Sequence, residues 1–302
     1  MSRIGWCLVF ICIFATAPAF AWGNQGHMAT GLIAYDRLAA DDPAAITAIA
    51  ALMAQHPDHA RFDAALTGLV DAERDRRLFA LIARWPDEIR GTPYDHPHWH
   101  HELRVVTGWI ALRGPRFGAA DRAFRRNLKL LRNPVADPGA RAVALCWLFH
   151  ITGDMHQPLH AGHRMDAHFP LTDFAGTKGW VRRSAEAAPE TLHHFWDTAA
   201  DRADQDFAGA AAITAAAEAV PPAAEVEDIH PLVAYRGWVR ESEHEAADEA
   251  YPDVMAAEAS RPEKAGTLSP DYVVKARHAA EQRIGQAGER LAGLLTALFP
   301  PR

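Results

Sequence analysis

The chain has 302 residues, 31 Lys and Arg against 38 Asp and Glu, and a formal net charge of −7. This length is sufficient for one large core in a single domain. The negative net charge argues against a protein that binds nucleic acid through a broadly basic surface. It does not exclude an enzyme whose phosphate-binding charge comes from bound cations, and the 17 His residues are unusually many.

The first 21 residues have the pattern of a secretory signal peptide. Arg3 precedes an apolar run from Ile4 to Phe14, and Ala19-Phe20-Ala21 has the spacing of a cleavage site. We therefore predict a signal peptide over residues 1–21 and one folded domain over 22–302. The mature protein is expected to begin at Trp22 and to be periplasmic or secreted.

Cysteine usage and hydropathy limit the ways in which the mature protein is stabilised. Cys7 and Cys12 leave with the signal peptide, and the remaining Cys146 cannot form an internal disulfide. No other run is long or apolar enough to cross a bilayer, so we expect no membrane insertion.

Most of the mature chain has helical periodicity and few strand signals. We predict helices over two segments within 27–54, over Asp71–Ala83, Arg122–Arg132, the central run from Leu145, Thr191–Asp197, Tyr235–Ala250 and Asp271–Leu298. The Ala-rich segment Ala208–Val226, which contains Pro221-Pro222, is predicted to be a helix followed by a turn. Pro86 suits the first turn of a further helix. Arg122–Arg132 is interpreted as a solvated basic face in preference to a nucleic-acid patch. No repeat or internal boundary is visible. The predicted fold is therefore all-α, with one domain.

The central segment carries the strongest chemical signal. His150 and Asp154 are four residues apart, so both project from one face of a helix. Pro158 is expected to end that helix and start a turn that brings His160 back to the same site. Burying an unpaired carboxylate and several imidazoles is costly, and a bound cation removes that cost. The alternative is a buried His–Asp hydrogen-bonded pair without metal.

Three other segments supply candidate ligands of the same kind. They are the mature N-terminus with His27, Asp87 with the loop His96–His101, and the pair His193 and Asp197, which repeats the four-residue spacing. Nitrogen and carboxylate ligands without cysteine suit zinc. Using all of these residues requires more than one ion.

Together these motifs resemble the S1/P1 nuclease family of secreted zinc-dependent nucleases. The similarity covers nearly the whole mature chain, and its most specific part is His-x3-Asp-x-His-Gln-Pro-Leu-His at 150–160. The other matching motifs are Trp-Gly-x-x-Gly-His from Trp22, Trp-x-Asp at 85–87, Leu-His-x3-Asp at 192–197, Trp238-x2-Glu241-Ser242, and Ala-Gly-x-Arg-Leu-Ala at 287–292. The resemblance implies a multi-helix bundle of the phospholipase C/P1 nuclease type and a nuclease-like catalytic domain over 22–302.

The resemblance also implies three zinc ions, arranged as a pair and a third. The implied ligands are Asp87, His100, His150 and Asp154 for the first ion; the amine and carbonyl of Trp22 with His27 and Asp154 for its partner; and His160, His193 and Asp197 for the third. Asp154 would bridge the pair, and Asp154 and Asp87 are the implied catalytic residues. The paired ions would activate a water for attack on phosphorus, while the third stabilises the leaving 3′ oxygen.

The implied activity is hydrolysis of single-stranded DNA or RNA to 5′-phosphorylated products by a monomer without a stable protein partner. One alternative is a zinc-dependent phospholipase C, a related family whose last ligand pair is His-x3-Glu, so that Asp197 favours the nuclease. Another is an exported zinc-binding protein without catalysis. The residues alone leave DNA versus RNA and base preference open.

The sequence departs from the family pattern at two places. The loop ligand is usually followed, three residues on, by Asp or Asn, but this position is Leu103, with Glu102 beside it. His98 or His101 could replace His100 as the loop ligand. The family's Gly-Gly-Asn segment is also absent, because residues 161–169 read Ala-Gly-His-Arg-Met-Asp-Ala-His-Phe.

Overall fold

The computed structural model describes residues 22–108, 118–218, 230–251 and 253–300. The predicted signal peptide over 1–21 and the Pro221-Pro222 turn lie outside these ranges. Within them, no helix combines the length and the apolar character needed to span a membrane.

Helices form most of the described chain, which confirms the all-α prediction. They are α1 (Asn24–Asp41), α2 (Pro43–Met53), α3 (His59–Ala65), α4 (Asp71–Glu88), α5 (Ala119–Leu131), α6 (Pro138–Asp154), α7 (Pro158–Ala161), α8 (Leu192–Asp197), α9 (Asp206–Glu218), α10 (Pro231–Glu245) and α11 (Pro270–Leu298). Short 3₁₀ segments cover Pro97–His100 and Pro262–Lys264, and a π-helical turn over Ala246–Ala250 continues α10.

Two small sheets tie the loops to this bundle. Their strands are β1 (Arg104–Gly108), β2 (Gly162–Met165), β3 (Trp180–Arg182), β4 (Glu190–Thr191) and β5 (Gly266–Thr267). β1 runs parallel to β2, and β3 lies between β4 and β5. The β1–β2 pair is important for the site, because it joins the chain that follows His101 to the chain that follows His160.

Helix α6 forms the centre of the molecule. Its residues from Ala144 to Asp154 are all buried, and it packs against α4, α5 and α11. The run from Leu145 to Ile151 is apolar on every side except at His150, which suits a helix enclosed by others. Helix α1 packs in the same way against α4, α9 and α11.

Among the helix boundaries that differ from the sequence prediction, two involve a proline. Pro86 does not begin a new helix but lies near the end of α4, where its missing N–H removes only one helical hydrogen bond. Pro158 does not end the central helix, which already stops at Asp154, and is instead the first residue of α7. The start of α2 is as expected, because Asp42 accepts a hydrogen bond from the Ala45 N–H, 3.3 Å away, and Pro43 follows it.

Candidate metal centre

Helix α6 ends in the middle of a cluster of buried imidazoles and carboxylates. The four-residue spacing brings His150 Nε2 to 3.5 Å from Asp154 Oδ2. Asp87, in the last turn of α4, adds an oxygen 3.7 Å from the same nitrogen. His100, at the end of the 3₁₀ segment, adds Nδ1 at 2.9 Å from His150 Nε2 and 3.2 Å from Asp154 Oδ2. The structure thus brings together the four residues predicted for the first ion.

His27 reaches the same cluster from α1 because Gly153 has no side chain. A Cβ at Gly153 would lie 2.9 Å from His27 Nδ1, which is too close for an ordinary contact. The His27 ring stacks on His150 with centroids 3.9 Å apart, and its Nε2 lies 3.3 Å from Asp154 Oδ1. The two oxygens of Asp154 therefore face different partners: Oδ1 faces His27, and Oδ2 faces His100 and His150.

A second group of ligands lies beside the first. His193 Nε2 is 3.5 Å from Asp197 Oδ2, again one helical turn apart, on α8. His160 Nε2, on α7, lies 3.9 Å from Asp197 Oδ1, and the two imidazoles stack with centroids 5.0 Å apart. His160 Nδ1 is also 3.9 Å from Asp154 Oδ1, so the two groups are contiguous.

Trp22 is held between the two groups. Its side chain is completely buried, and its indole N–H donates to the Gly153 carbonyl at 3.0 Å. The next residue, Gly23, donates its backbone N–H to the Asp197 carbonyl at 2.7 Å. These contacts place the backbone of Trp22 beside the C-terminal ends of α6 and α8.

Backbone carbonyls orient three of the imidazoles. His150 Nδ1 lies 2.8 Å from the Ala83 carbonyl, His160 Nδ1 lies 2.6 Å from the His100 carbonyl, and His193 Nδ1 lies 2.8 Å from the Ala175 carbonyl. A carbonyl only accepts, so each Nδ1 carries the proton and each Nε2 presents a lone pair toward the cluster. This arrangement is typical of metal-ligating histidines.

Two carboxylates are oriented by neighbouring side chains. Arg90 lies 3.2 Å from Asp87 Oδ1, which leaves Oδ2 directed at His27 and His150. Gln157 donates from Nε2 to Asp197 Oδ1 at 2.7 Å. Arg90 and Gln157 therefore act as positioning residues for the candidate ligands.

The buried atoms fit bound cations. Both nitrogens of His27, both oxygens of Asp154 and Nε2 of His160 are buried without a hydrogen-bond partner, which is rare in folded proteins. Two ligand atoms that share a tetrahedral zinc ion at about 2.0 Å lie roughly 3.3 Å apart. The separations of 2.9, 3.2, 3.5 and 3.7 Å in the first group are close to that value.

Burial also opposes the charges that the ligands would carry without a cation. It raises the pKa values of Asp154 and Asp197 well above their usual range, and that of Asp87 to about 7. It lowers the pKa of His150 to about 3 and that of His27 well below its usual value. These two imidazoles are therefore neutral, and a cation would restore the ionised form of the carboxylates.

The loop between the 3₁₀ segment and β1 clarifies two positions that the sequence left open. Glu102 is not directed at the cluster, because its carboxylate accepts from the backbone N–H groups of Gly118 and Asp121 and from Tyr235 Oη. His98 is exposed, whereas His100 is buried in the first group. His101 is directed at the second group, a placement that the sequence reasoning missed.

His156 lies outside both groups, although it belongs to the central motif. Its Nδ1 donates to the Thr152 carbonyl at 2.7 Å, and its Nε2 accepts from Arg290 at 2.8 Å. Both ring nitrogens are therefore engaged, one with the backbone of α6 and the other with Arg290 on α11.

The comparison with known families agrees with this geometry. A family model described as S1/P1 Nuclease matches residues 22–300. The chain belongs to the S1/P1 nuclease family. Its function is therefore of the nuclease type, with nucleic acid as the class of substrate. The family is zinc-dependent, and the described residues contain His/Asp groups able to hold metal ions. No curated protein matches the chain.

Proposed function

We propose that this protein is an exported zinc phosphodiesterase that hydrolyses single-stranded DNA or RNA to 5′-phosphorylated products. The observation that carries the proposal is Asp154, a fully buried carboxylate whose two oxygens face separate sets of imidazoles and lack hydrogen-bond donors. A carboxylate in that position is suited to bridge two cations.

The proposed ligands are the residues that the sequence predicts. Asp87, His100, His150 and Asp154 would hold one ion, Trp22, His27 and Asp154 its partner, and His160, His193 and Asp197 the third. Bound zinc would supply Lewis-acid activation of water and charge stabilisation of the leaving 3′ oxygen. The chain itself fixes the ligand geometry through the carbonyls that hold the three Nδ1–H groups, through Arg90 on Asp87, and through Gln157 on Asp197.

Paired assays test this function. The zinc-loaded protein should cleave a single-stranded oligonucleotide to products with 5′-phosphate ends, should lose that activity in chelator and should regain it with zinc. It should leave phosphatidylcholine intact. Asp154→Asn protein purified in the same way controls for contaminating nucleases.

Two outcomes would contradict the proposal. Chelator-sensitive release of phosphocholine without cleavage of the oligonucleotide would assign the site to a phospholipase C. Full zinc content with no turnover of either substrate would leave a zinc-binding protein without catalysis.

A basic face on α5 supports a polyanionic substrate. Its cationic side chains are exposed, as expected for a solvated face; they are Arg122, Arg125, Arg126, Lys129 and Arg132. Helix α5 packs against the 3₁₀ segment that ends at His100, and the Arg126 guanidinium lies 5.7 Å from the Trp99 ring centroid. This arrangement suits single-stranded nucleic acid. The cationic side chains can contact its phosphates, and the aromatic ring beside the metal centre can stack on a base.

Charge reversal on this face should weaken the binding of long substrates. We expect the double variant Arg126→Glu, Lys129→Glu to raise KM for an oligonucleotide roughly tenfold, since each exposed ionic contact contributes about 0.2–1 kcal/mol. The effect on a dinucleotide should be smaller. The salt dependence of oligonucleotide binding should also fall, by roughly 0.7 in the logarithmic slope for each lost phosphate contact.

A matched control is available on α11. Lys275 and Arg277 are exposed there, so that their double replacement by Glu changes the net charge equally. If the two double variants raise KM equally, the effect comes from the net charge of the protein, and the α5 face has no local role in substrate binding.

A further inference from the structure

The adjacent residues His100 and His101 direct their rings to different ligand groups. His100 ends the 3₁₀ segment, and His101 follows it in an extended conformation, with φ −135° and ψ 143°. Successive side chains on an extended backbone point to opposite sides. The His100 ring therefore meets His150 and Asp154, while the His101 ring lies 4.3 Å from the His160 ring and 5.7 Å from the His193 ring, between centroids.

His101 has the position and the free atom that a metal ligand needs. One ring nitrogen each of His101, His160 and His193 lie within 4.8 Å of one another. His101 Nδ1 is buried and has no hydrogen-bond partner. A buried ring nitrogen without a partner carries a desolvation cost, and coordination to a cation would remove it.

We propose that His101 is a fourth protein ligand of the ion held by His160, His193 and Asp197. The proposal rests on the proposed function, because it assumes that this ion is present. Neighbouring loop histidines then serve two different ions, His100 in the bridged pair and His101 at the third position.

This ligand set has a consequence for the role of the third ion. Three imidazoles and one carboxylate would supply the four ligands usual for a structural zinc ion, whereas a catalytic zinc site keeps a position open for water or substrate. The ion is therefore held more tightly than by three ligands. With four protein ligands, it would need a fifth coordination position to contact a substrate oxygen.

The experiment compares zinc retention in the full-length mature wild type and the His101→Phe variant. Phenylalanine keeps an aromatic ring packed against His160 but removes the lone pairs. We expect the variant to fold and to lose one of its three zinc ions at a chelator concentration at least about tenfold lower, a loss within the range seen when even an outer partner of a metal ligand is removed. His98→Phe, on the exposed neighbour in the same loop, should retain zinc like the wild type.

A cysteine variant gives a positive signal that a packing role would not produce. In the cobalt-substituted protein, His101→Cys should show sulfur-to-cobalt charge-transfer absorption in the near ultraviolet, because a thiolate at this position can replace the imidazole nitrogen. The wild type provides the baseline for the buried Cys146, and His98→Cys provides the control. If His101→Phe does not fold, this spectrum decides the question by itself.

The outcomes separate this proposal from the proposed function. Wild-type zinc retention in His101→Phe, or a His101→Cys spectrum without the sulfur band, would overturn the role of His101 while leaving the zinc enzyme intact. A wild-type protein that binds no zinc in the first place would overturn the proposed function as well.

Discussion

Replacing Asp154 by asparagine is expected to weaken the binding of two zinc ions together and to lower kcat by at least about a hundredfold, the scale of losing one key electrostatic group. The two carboxylate oxygens face His27 on one side and His100 and His150 on the other. An amide has one metal-binding oxygen and no charge, so one ion loses a ligand and the other keeps only a weaker, neutral one. Elemental analysis and single-turnover cleavage of an oligonucleotide measure the two effects.

Asp154→Asn should destabilise the zinc-loaded protein but not the metal-free protein. Burial raises the pKa of Asp154 above its unfolded value, so that in the metal-free protein ionisation costs stability increasingly as the pH rises. The neutral amide of the variant avoids that cost. We expect the melting temperature of Asp154→Asn to be below that of the wild type in zinc, but not below it in chelator at pH 7.

A buried carboxylate elsewhere serves as the control for Asp154. Asp42 caps α2, and Asp42→Asn should retain zinc and activity, because asparagine is an equally good cap. Full zinc content together with wild-type turnover in Asp154→Asn would rule out the bridging role.

An extra Met before Trp22 should remove one zinc ion and most of the activity while leaving the fold intact. The proposed ligand is the α-amino group of Trp22, whose pKa near 8 allows a zinc ion to displace its proton at neutral pH. In the extended protein that nitrogen is an amide, a poor ligand. The indole bond to Gly153 and the Gly23 bond to Asp197 keep Trp22 in place, so the added residue would crowd the metal centre.

The comparison needs the same protein with and without the extension. Proteolytic removal of the extra residues from a purified precursor should restore both zinc and activity, whereas an extension at the C-terminus should change neither. Export and cleavage would then complete the active site without a separate inhibitor. Equal zinc and equal turnover in the Met-extended and correctly processed forms would refute this role of Trp22.

The proximity of the candidate ligands could be predicted where it depends on one helical turn. His150 with Asp154 and His193 with Asp197 need only the four-residue spacing on a helix, and the fold class follows from the same periodicity. The path of a loop depends instead on tertiary contacts. Glu102 lies beside the position where the family usually has Asp or Asn, but the sequence does not show that the start of α5 uses its carboxylate as a cap.

His101 illustrates the same limit within the site. Its ring direction depends on the extended backbone at this residue and on the pairing of β1 with β2, which brings the loop beside His160. The sequence nevertheless contains a signal for this second ligand, because two adjacent histidines that follow a short turn in extended backbone project to opposite sides. At Pro86 a local signal was present but ambiguous. A proline suits the first turn of a helix and is also tolerated near its end, as in α4.

The three helices that deliver carboxylates to the centre all do so at the same end. Asp87 lies in the last turn of α4, Asp154 is the last residue of α6, and Asp197 is the last residue of α8. The C-terminal end of a helix carries a partial negative charge of roughly half an elementary unit. The peptide backbone therefore attracts cations to this point and repels phosphate from it. We expect a strict order of binding, in which a phosphodiester enters only after the metal ions have reversed the sign of the local field.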